Sequence, residues 1–250
     1  MIIAILVGRG GSVGLPKKNI LPVLGRPLMA YPLLAGKNSK YIDKVFLSTD
    51  SEDLAKVGRY YGANIIKRPA QLATSDSTLE DVFFHAFNLI KKNTSKRIEF
   101  IVLLMCNAVS ILPKTIDHGI KILRSKSQFD SAVTVSGFNM FTPVRARKID
   151  KDGALVPFVS LEQFNFKINS NRQKQDIVYF HDCGASVVRP KCLEKIEEGL
   201  LPQKWMGKKI YPLIQKGVLD VDYEYELLNA EYWLLKNGFT NKNLPYKLKK

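Results

Sequence analysis

Two groups of residues that could do chemistry stand near opposite ends of this chain. Near the start, residues 8–20 read GRGGSVGLPKKNI. Glycines that follow directly on a strand let backbone approach a ligand where no Cβ would fit, and their successive N–H groups suit phosphate oxygens. Arg9, Lys17 and Lys18 add positive charge beside Gly10, Gly11 and Ser12, so the stretch suits a polyphosphate or another dense anion. Neither of the better-known glycine patterns fits. The sixth position of a dinucleotide fingerprint counted from Gly8 holds Val13, and no Gly-Lys-Ser/Thr occurs. Pro16 biases Leu15 toward extended geometry, which keeps the loop open.

Near the other end stands Asp220-Val221-Asp222. Residues two apart in an extended segment face the same side, so both carboxylates can address one hard cation. Mg²⁺ held by one or two carboxylates completes its shell with water and phosphate oxygens. The plainer alternative makes Asp222 the N-cap of a following helix and leaves Asp220 solvated. Asn19, Arg68 and Thr78 fall after strands or at helix starts and offer an amide, a guanidinium and a hydroxyl. Their plainer roles are a loop charge for Arg68 and a neighbour of a Ser77 cap for Thr78. Arg172-Gln173 lies at the end of a polar stretch, where a guanidinium can bind a carboxylate bidentately. His85, His118 and His181 lack metal-ligand spacing, so packing or exposure is their default.

The elements that must position these residues alternate. Ile2–Val7, Lys44–Thr49 and Phe100–Met105 read as strands, the last continuously apolar as a central parallel strand should be. Shorter strands are expected over 64–66, 132–135 and 185–188, and a strand end over 219–222. Helices are expected over 28–35, from an Asp50 or Ser51 cap to Tyr61, behind Ser77-Thr78-Leu79-Glu80, and over 113–123, 192–198 and 223–235. The pattern argues for a doubly wound, mostly parallel α/β sheet whose ligands sit beyond the strand carboxyl ends. One domain spans 1–250, interrupted by a polar insertion over 137–180 with short strand-like pieces around 155–159 and 177–180; it reads as a β-rich arm packing on a second subunit, with a disordered loop as the plainer alternative.

Bulk composition narrows the classes. The 250 residues are 46% hydrophobic with a formal charge of +15, and no apolar run is long enough to span a bilayer. A soluble protein without a signal peptide is expected, and the three cysteines, lacking zinc-type spacing, favour reduced thiols in a cytoplasm. The basic charge admits nucleic acid, to which the 91–97 cluster lends itself, but no nucleic-acid-binding motif is present. A glycosyltransferase using a nucleotide sugar through DxD is a second alternative; such enzymes carry that motif after a central strand, where this chain has Met105 to Asn107.

Taken together, RGGSVGLPKKN (9–19), FLSTDSEDLAKVGRYYGA (46–63), RPAQLA (68–73), DCGA (182–185) and DVD (220–222) resemble the cytidylyltransferases that make CMP-sialic acids. The resemblance implies a Rossmann-like nucleotidyltransferase fold, a homodimer joined by inserted arms, and a Mg²⁺-dependent reaction of CTP with a nine-carbon 2-keto sugar acid. It implies that Arg9, Gly10, Gly11, Ser12 and Lys18 hold the triphosphate and that Asn19, Arg68 and Thr78 contact cytidine. Asp220 and Asp222 would hold the metal and, with Arg9 and Lys18, form the catalytic set, while Arg172 and Gln173 would face the sugar acid. No nucleic acid or membrane partner is implied. The sequence departs from the family at Gly8, where alanine is usual, at Val13, where lysine is common, and in DCGA, where NGA is usual. It departs again over residues 105–110, MCNAVS, where a QPTSP-like run normally supplies a substrate-contacting glutamine. Met105 cannot supply that amide, which points to a legionaminate-like or pseudaminate-like acceptor with Asn107 as the substitute contact.

Overall fold

Alternation of apolar side chains across single strands decides how the chain layers. The computed structural model describes residues 1–12, 14–164, 168, 170–171, 176–218 and 220–248. In order these form β1 (Ile2–Val7), β2 (Pro22–Val23), β3 (Arg26–Pro27), α1 (Ala30–Asn38), β4 (Lys44–Thr49), α2 (Glu52–Tyr60), β5 (Asn64–Lys67) and α3 (Leu79–Lys92). There follow β6 (Phe100–Met105), α4 (Pro113–Ser125), β7 (Ser131–Gly137), β8 (Arg147–Ile149), β9 (Leu155–Pro157), β10 (Tyr179–Val188), α5 (Pro190–Glu194), β11 (Ile210–Gln215) and α6 (Glu224–Lys236).

Seven strands make one sheet in the order β11-β7-β10-β6-β1-β4-β5. β6, β1, β4 and β5 pair in parallel, β10 runs antiparallel to both β6 and β7, and β11 is parallel to β7. The mostly parallel Rossmann-like architecture expected from the sequence is therefore present, with one reversed strand inside it. Period-2 alternation sends Ala4 and Leu6 to one face, with Leu33 and Ile116, and Ile3, Ile5 and Val7 to the other, with Phe83, Phe87 and Trp205. Both faces are covered, which is why β1 and β6 read as unbroken apolar runs. A third cluster packs Ala230, Trp233 and Leu234 of α6 against Val23, Leu28 and Tyr31, bringing the start of α6 to the glycine loop.

Several local expectations need correction. α1 spans Ala30–Asn38, starting and ending later than the expected 28–35. Thr78, not Ser77, caps α3: its hydroxyl accepts from Asp81 N–H at 3.2 Å, and the Asp81 carboxylate accepts from the Thr78 hydroxyl at 2.7 Å. The pieces around 177–180 and 185–188 belong to one strand, β10, broken by a bulge between His181 and Ser186. Cys183 sits in that bulge at φ 58°, unusual outside glycine. β11 was not expected at all, and Asp220 to Asp222 lie in the loop after it rather than on a strand end. Within 137–180 the described residues include the small β8–β9 hairpin. No helix among the described residues is long and apolar enough to cross a membrane.

Candidate active site

The loops that leave β1, β5 and β6 open at the same end of the sheet, and the segment before α6 folds down to meet them. Together they wall a cavity of about 420 Å³. Its lining includes Arg9, Ser12, Lys18, Asn19, Arg68, Thr78, Asn107, Asp220 and Asp222, so both chemically distinctive groups of the sequence face one space. Arg172 and Gln173 lie outside the described residues.

The glycine loop is shaped by what its missing Cβ atoms avoid. A Cβ on Gly8 would stand 2.5 Å from Cys106 Sγ, so the glycine at 8 and the cysteine at 106 are one packing solution. A Cβ on Gly14 would meet the Asp222 carbonyl at 2.8 Å, so the loop lies directly against the acidic segment. The loop's amides, however, do not form the open nest that the sequence suggested. Gly8 N–H donates to Ser48 O, Gly10 N–H to the Asp50 carboxylate at 3.1 Å, and Ser12 N–H to Gly10 O. Gly10 and Gly11 are not in the cavity wall; the side chains of Arg9, Ser12 and Lys18 face it instead.

Asn19 and Arg68 form a buried polar wall hung on consecutive carbonyls. Asn19 Nδ2 donates to Arg9 O at 3.3 Å, which fixes the amide's orientation and leaves Asn19 Oδ1 buried without a partner among the described residues. Arg68 donates to Gly8 O at 3.2 Å and Ser48 O at 2.9 Å, while its Nε is likewise buried and unpartnered. Burial holds the Arg68 guanidinium below its usual range, against the opposing charge of Asp50. A buried donor and acceptor without partners are costly, and a ligand that supplies both bonds recovers that cost.

The acidic wall is held from behind. Asn107 Nδ2 donates to Asp220 Oδ2 at 2.9 Å and to Val221 O at 3.1 Å, and Val221 N–H returns a bond to Asn107 O. Its amide nitrogen is thus engaged in fixing Asp220, while the residue also lines the cavity. Asp222 pairs with the Lys18 ammonium, and its N–H and that of Tyr223 both donate to Glu226. Asp222 therefore does not cap α6 through its carboxylate; Glu226 caps the helix, a role that capping-box spacing from Tyr223 could have signalled. Desolvation, with the charge of Asp222, raises the Asp220 pKa, against Asn107 and Lys18.

Further support comes from residues that sequence reasoning passed over. Gln215, on β11, donates to Ser110 O at 2.8 Å and to the buried Asp182 carboxylate at 3.0 Å. Ser110 Oγ accepts from Val218 N–H at 2.8 Å, tying the acidic loop to the turn after β6. Two carboxylates suit a hard cation that shares its shell with phosphate and water. Among the described residues no group of three or more His, Cys, Asp or Glu gathers to cage an ion, so any metal here depends on the ligand for the rest of its shell.

A crevice at the carboxyl ends of parallel strands, with cations on one wall and paired carboxylates on the other, defines a Rossmann-like α/β protein equipped for a phosphorylated ligand. The family is then fixed by comparison. A cytidylyltransferase family model matches residues 3–147, more than half of the chain. The chain belongs to the cytidylyltransferase family. It is 27% identical to N-acylneuraminate cytidylyltransferase A of Danio rerio over 98% of this chain and 53% of that one. It is 31% identical to CMP-N,N'-diacetyllegionaminic acid synthase of Legionella pneumophila over 68% of this chain and 72% of that one. The chain spans about half the length of the first curated relatives it matches. The solved structure of CMP:2-keto-3-deoxy-manno-octonic acid synthetase complexed with CTP superposes with TM-score 0.68 at 13% identity, covering 94% of this chain and 99% of that one, which shows the fold.

Proposed function

We propose that the chain transfers a cytidylyl group from CTP to a 2-keto sugar acid of the sialic acid or nonulosonate class, releasing pyrophosphate. The observation that carries this reading is the single cavity walled by Arg9, Ser12 and Lys18 on one side and by Asp220 and Asp222 on the other. In the reaction the sugar's anomeric oxygen forms a bond to the α-phosphorus, the bond from that phosphorus to the bridging oxygen breaks, and the hydroxyl proton is lost.

Arg9, Ser12 and Lys18 hold the phosphates and offset the charge that develops on the leaving group, a task of positioning and electrostatics. Asn19 and Arg68 read the base. Cytosine presents an amino donor beside ring and carbonyl acceptors, and Asn19 Oδ1 and Arg68 Nε are an unpartnered acceptor and donor of the complementary kind. Uracil would put a carbonyl where the amino group is wanted. Thr78, engaged with Asp81, shapes this end as a cap. Asp220 and Asp222 are the residues that would hold Mg²⁺, which when bound neutralises phosphate charge and polarises the transferred phosphoryl group.

The cavity wall is apolar at Met105, where a sialate-type site would offer an amide. A deoxygenated or acylated sugar acid fits that wall better than a fully hydroxylated one. The likeness to a legionaminic acid synthase supports the same choice. Arg172 and Gln173 remain the proposed receptors of the sugar carboxylate. Exposed Phe141, Ile149, Leu155 and Phe158 within 137–180 support an arm that packs on a second copy. Free cysteines at 106, 183 and 192 fit a cytoplasmic setting.

The test is a panel of 2-keto sugar acids incubated with Mg²⁺ and each of the four nucleoside triphosphates, scored for pyrophosphate and for the nucleotide-linked sugar. CTP should be used with at least one sugar acid. Pyrophosphate release with no sugar acid in the panel, or equal use of UTP, counts against the proposal.

A further inference from the structure

Lys18 faces a choice of partner that the cavity makes explicit. Its ammonium is assigned to phosphate in the reading above, yet here it is paired with the Asp222 carboxylate. The lysine side chain is 14% exposed and the aspartate 54%, so solvent and solutes reach the pair from the Asp222 side. Neither backbone has slack. Lys18 N–H donates to Leu15 O, Leu21 N–H to Lys18 O, and Asp222 N–H to Glu226, so an exchange of partners needs side-chain rotation rather than loop movement. Asp220 is placed differently, held by Asn107 and more deeply buried.

Resting on the proposed function, we infer that Lys18 is a cation-released residue: it neutralises Asp222 in the metal-free protein and passes to the nucleotide phosphates when a divalent cation takes that carboxylate. An ammonium and a dication on one carboxylate repel each other, and the cation, with twice the charge and direct oxygen ligation, wins the contest once phosphate is present to receive the ammonium. Two consequences follow from this competition. Metal alone binds weakly, because it must displace Lys18 before any phosphate is present to receive the ammonium. Metal and CTP bind with positive coupling, because each removes the obstacle to the other.

The experiment measures binding rather than turnover. Mn²⁺ affinity is determined by titration calorimetry for wild type, Lys18→Met and Lys18→Gln, with and without CTP. Both variants should bind Mn²⁺ alone roughly tenfold more tightly than wild type, and the enhancement of Mn²⁺ affinity by CTP should shrink in both. In the wild-type protein, saturating Mg²⁺ without nucleotide should raise acetylation of Lys18 severalfold by mass spectrometry, and added CTP should protect it again. Equal or weaker Mn²⁺ binding by the variants, or Lys18 labelling indifferent to Mg²⁺, overturns the inference while leaving the cytidylyltransferase reading intact. Absence of Mn²⁺ binding in every protein, with and without CTP, overturns both.

Discussion

The two walls of the cavity are built on opposite plans. On the glycine-loop side, Asn19 Oδ1 and Arg68 Nε are buried with no partner among the described residues, an arrangement that costs on the order of 1–3 kcal/mol per group in the free protein. On the acidic side the carboxylates are already answered: Asp220 by Asn107, Asp222 by Lys18. One wall has unused hydrogen-bonding capacity, and the other must exchange partners before it can hold anything. On the proposed reading a base docks directly, whereas the reacting end of the ligand assembles only through competition.

The largest test of that contrast is Asp222→Asn, which keeps shape and removes charge. Pyrophosphate release should fall roughly a thousandfold, as expected when a metal-held phosphoryl group loses its anchor. Retained Mg²⁺-dependent turnover would return the acidic pair to a structural role. A second test probes the strand behind that wall. Burial drives the His181 imidazole down to about 4, below its ordinary value, so the unfolded chain binds the proton more readily than the native one. Stability should then be complete above about pH 6.5 and decline by about 3 kcal/mol as pH falls to about 4. Urea midpoints across that range, compared between wild type and His181→Asn, isolate the contribution; parallel curves would show that the ring is not kept neutral by the fold.

On the other wall, Arg68→Met should lower kcat/KM for CTP about ten- to a hundredfold and narrow the preference over UTP. A loss that is equal for both nucleotides would mean that the guanidinium supports the loop without reading the base. The smallest effect concerns packing. Gly8→Ala forces a methyl against Cys106 Sγ and should destabilise by about 1 kcal/mol, with Cys106→Ala in the same chain recovering part of it. Additive losses in denaturant melts would separate the two positions.

Much of this molecule is legible before folding, and the unread parts have identifiable causes. β1, β4 and β6 are apolar runs between turn signals, and Ser51 caps α2 as its type and place suggest. The residues that wall the cavity are recognisable because glycines, cations and an acidic doublet are local patterns. Their partners are not. Asn107, Gln215 and Asp182 act through bonds to residues distant in sequence, which no local window contains. β10 is split to the eye by the Cys183 bulge, and β11, IYPLIQ, carries Pro212 and so reads as a non-strand. Proline is tolerated there because β11 is the outermost strand of the sheet.

That proline also bears on the behaviour of the protein at high concentration. An open sheet margin is a template on which a stray chain can add itself, and loss of even one amide hydrogen spoils the regular ladder such growth needs. β11 exposes Ile214 on its surface, a side chain that would otherwise favour sticking. Replacing Pro212 is expected to leave catalysis alone while making the protein easier to precipitate, on the same strand that ties Gln215 to the Ser110 carbonyl and the Asp182 carboxylate.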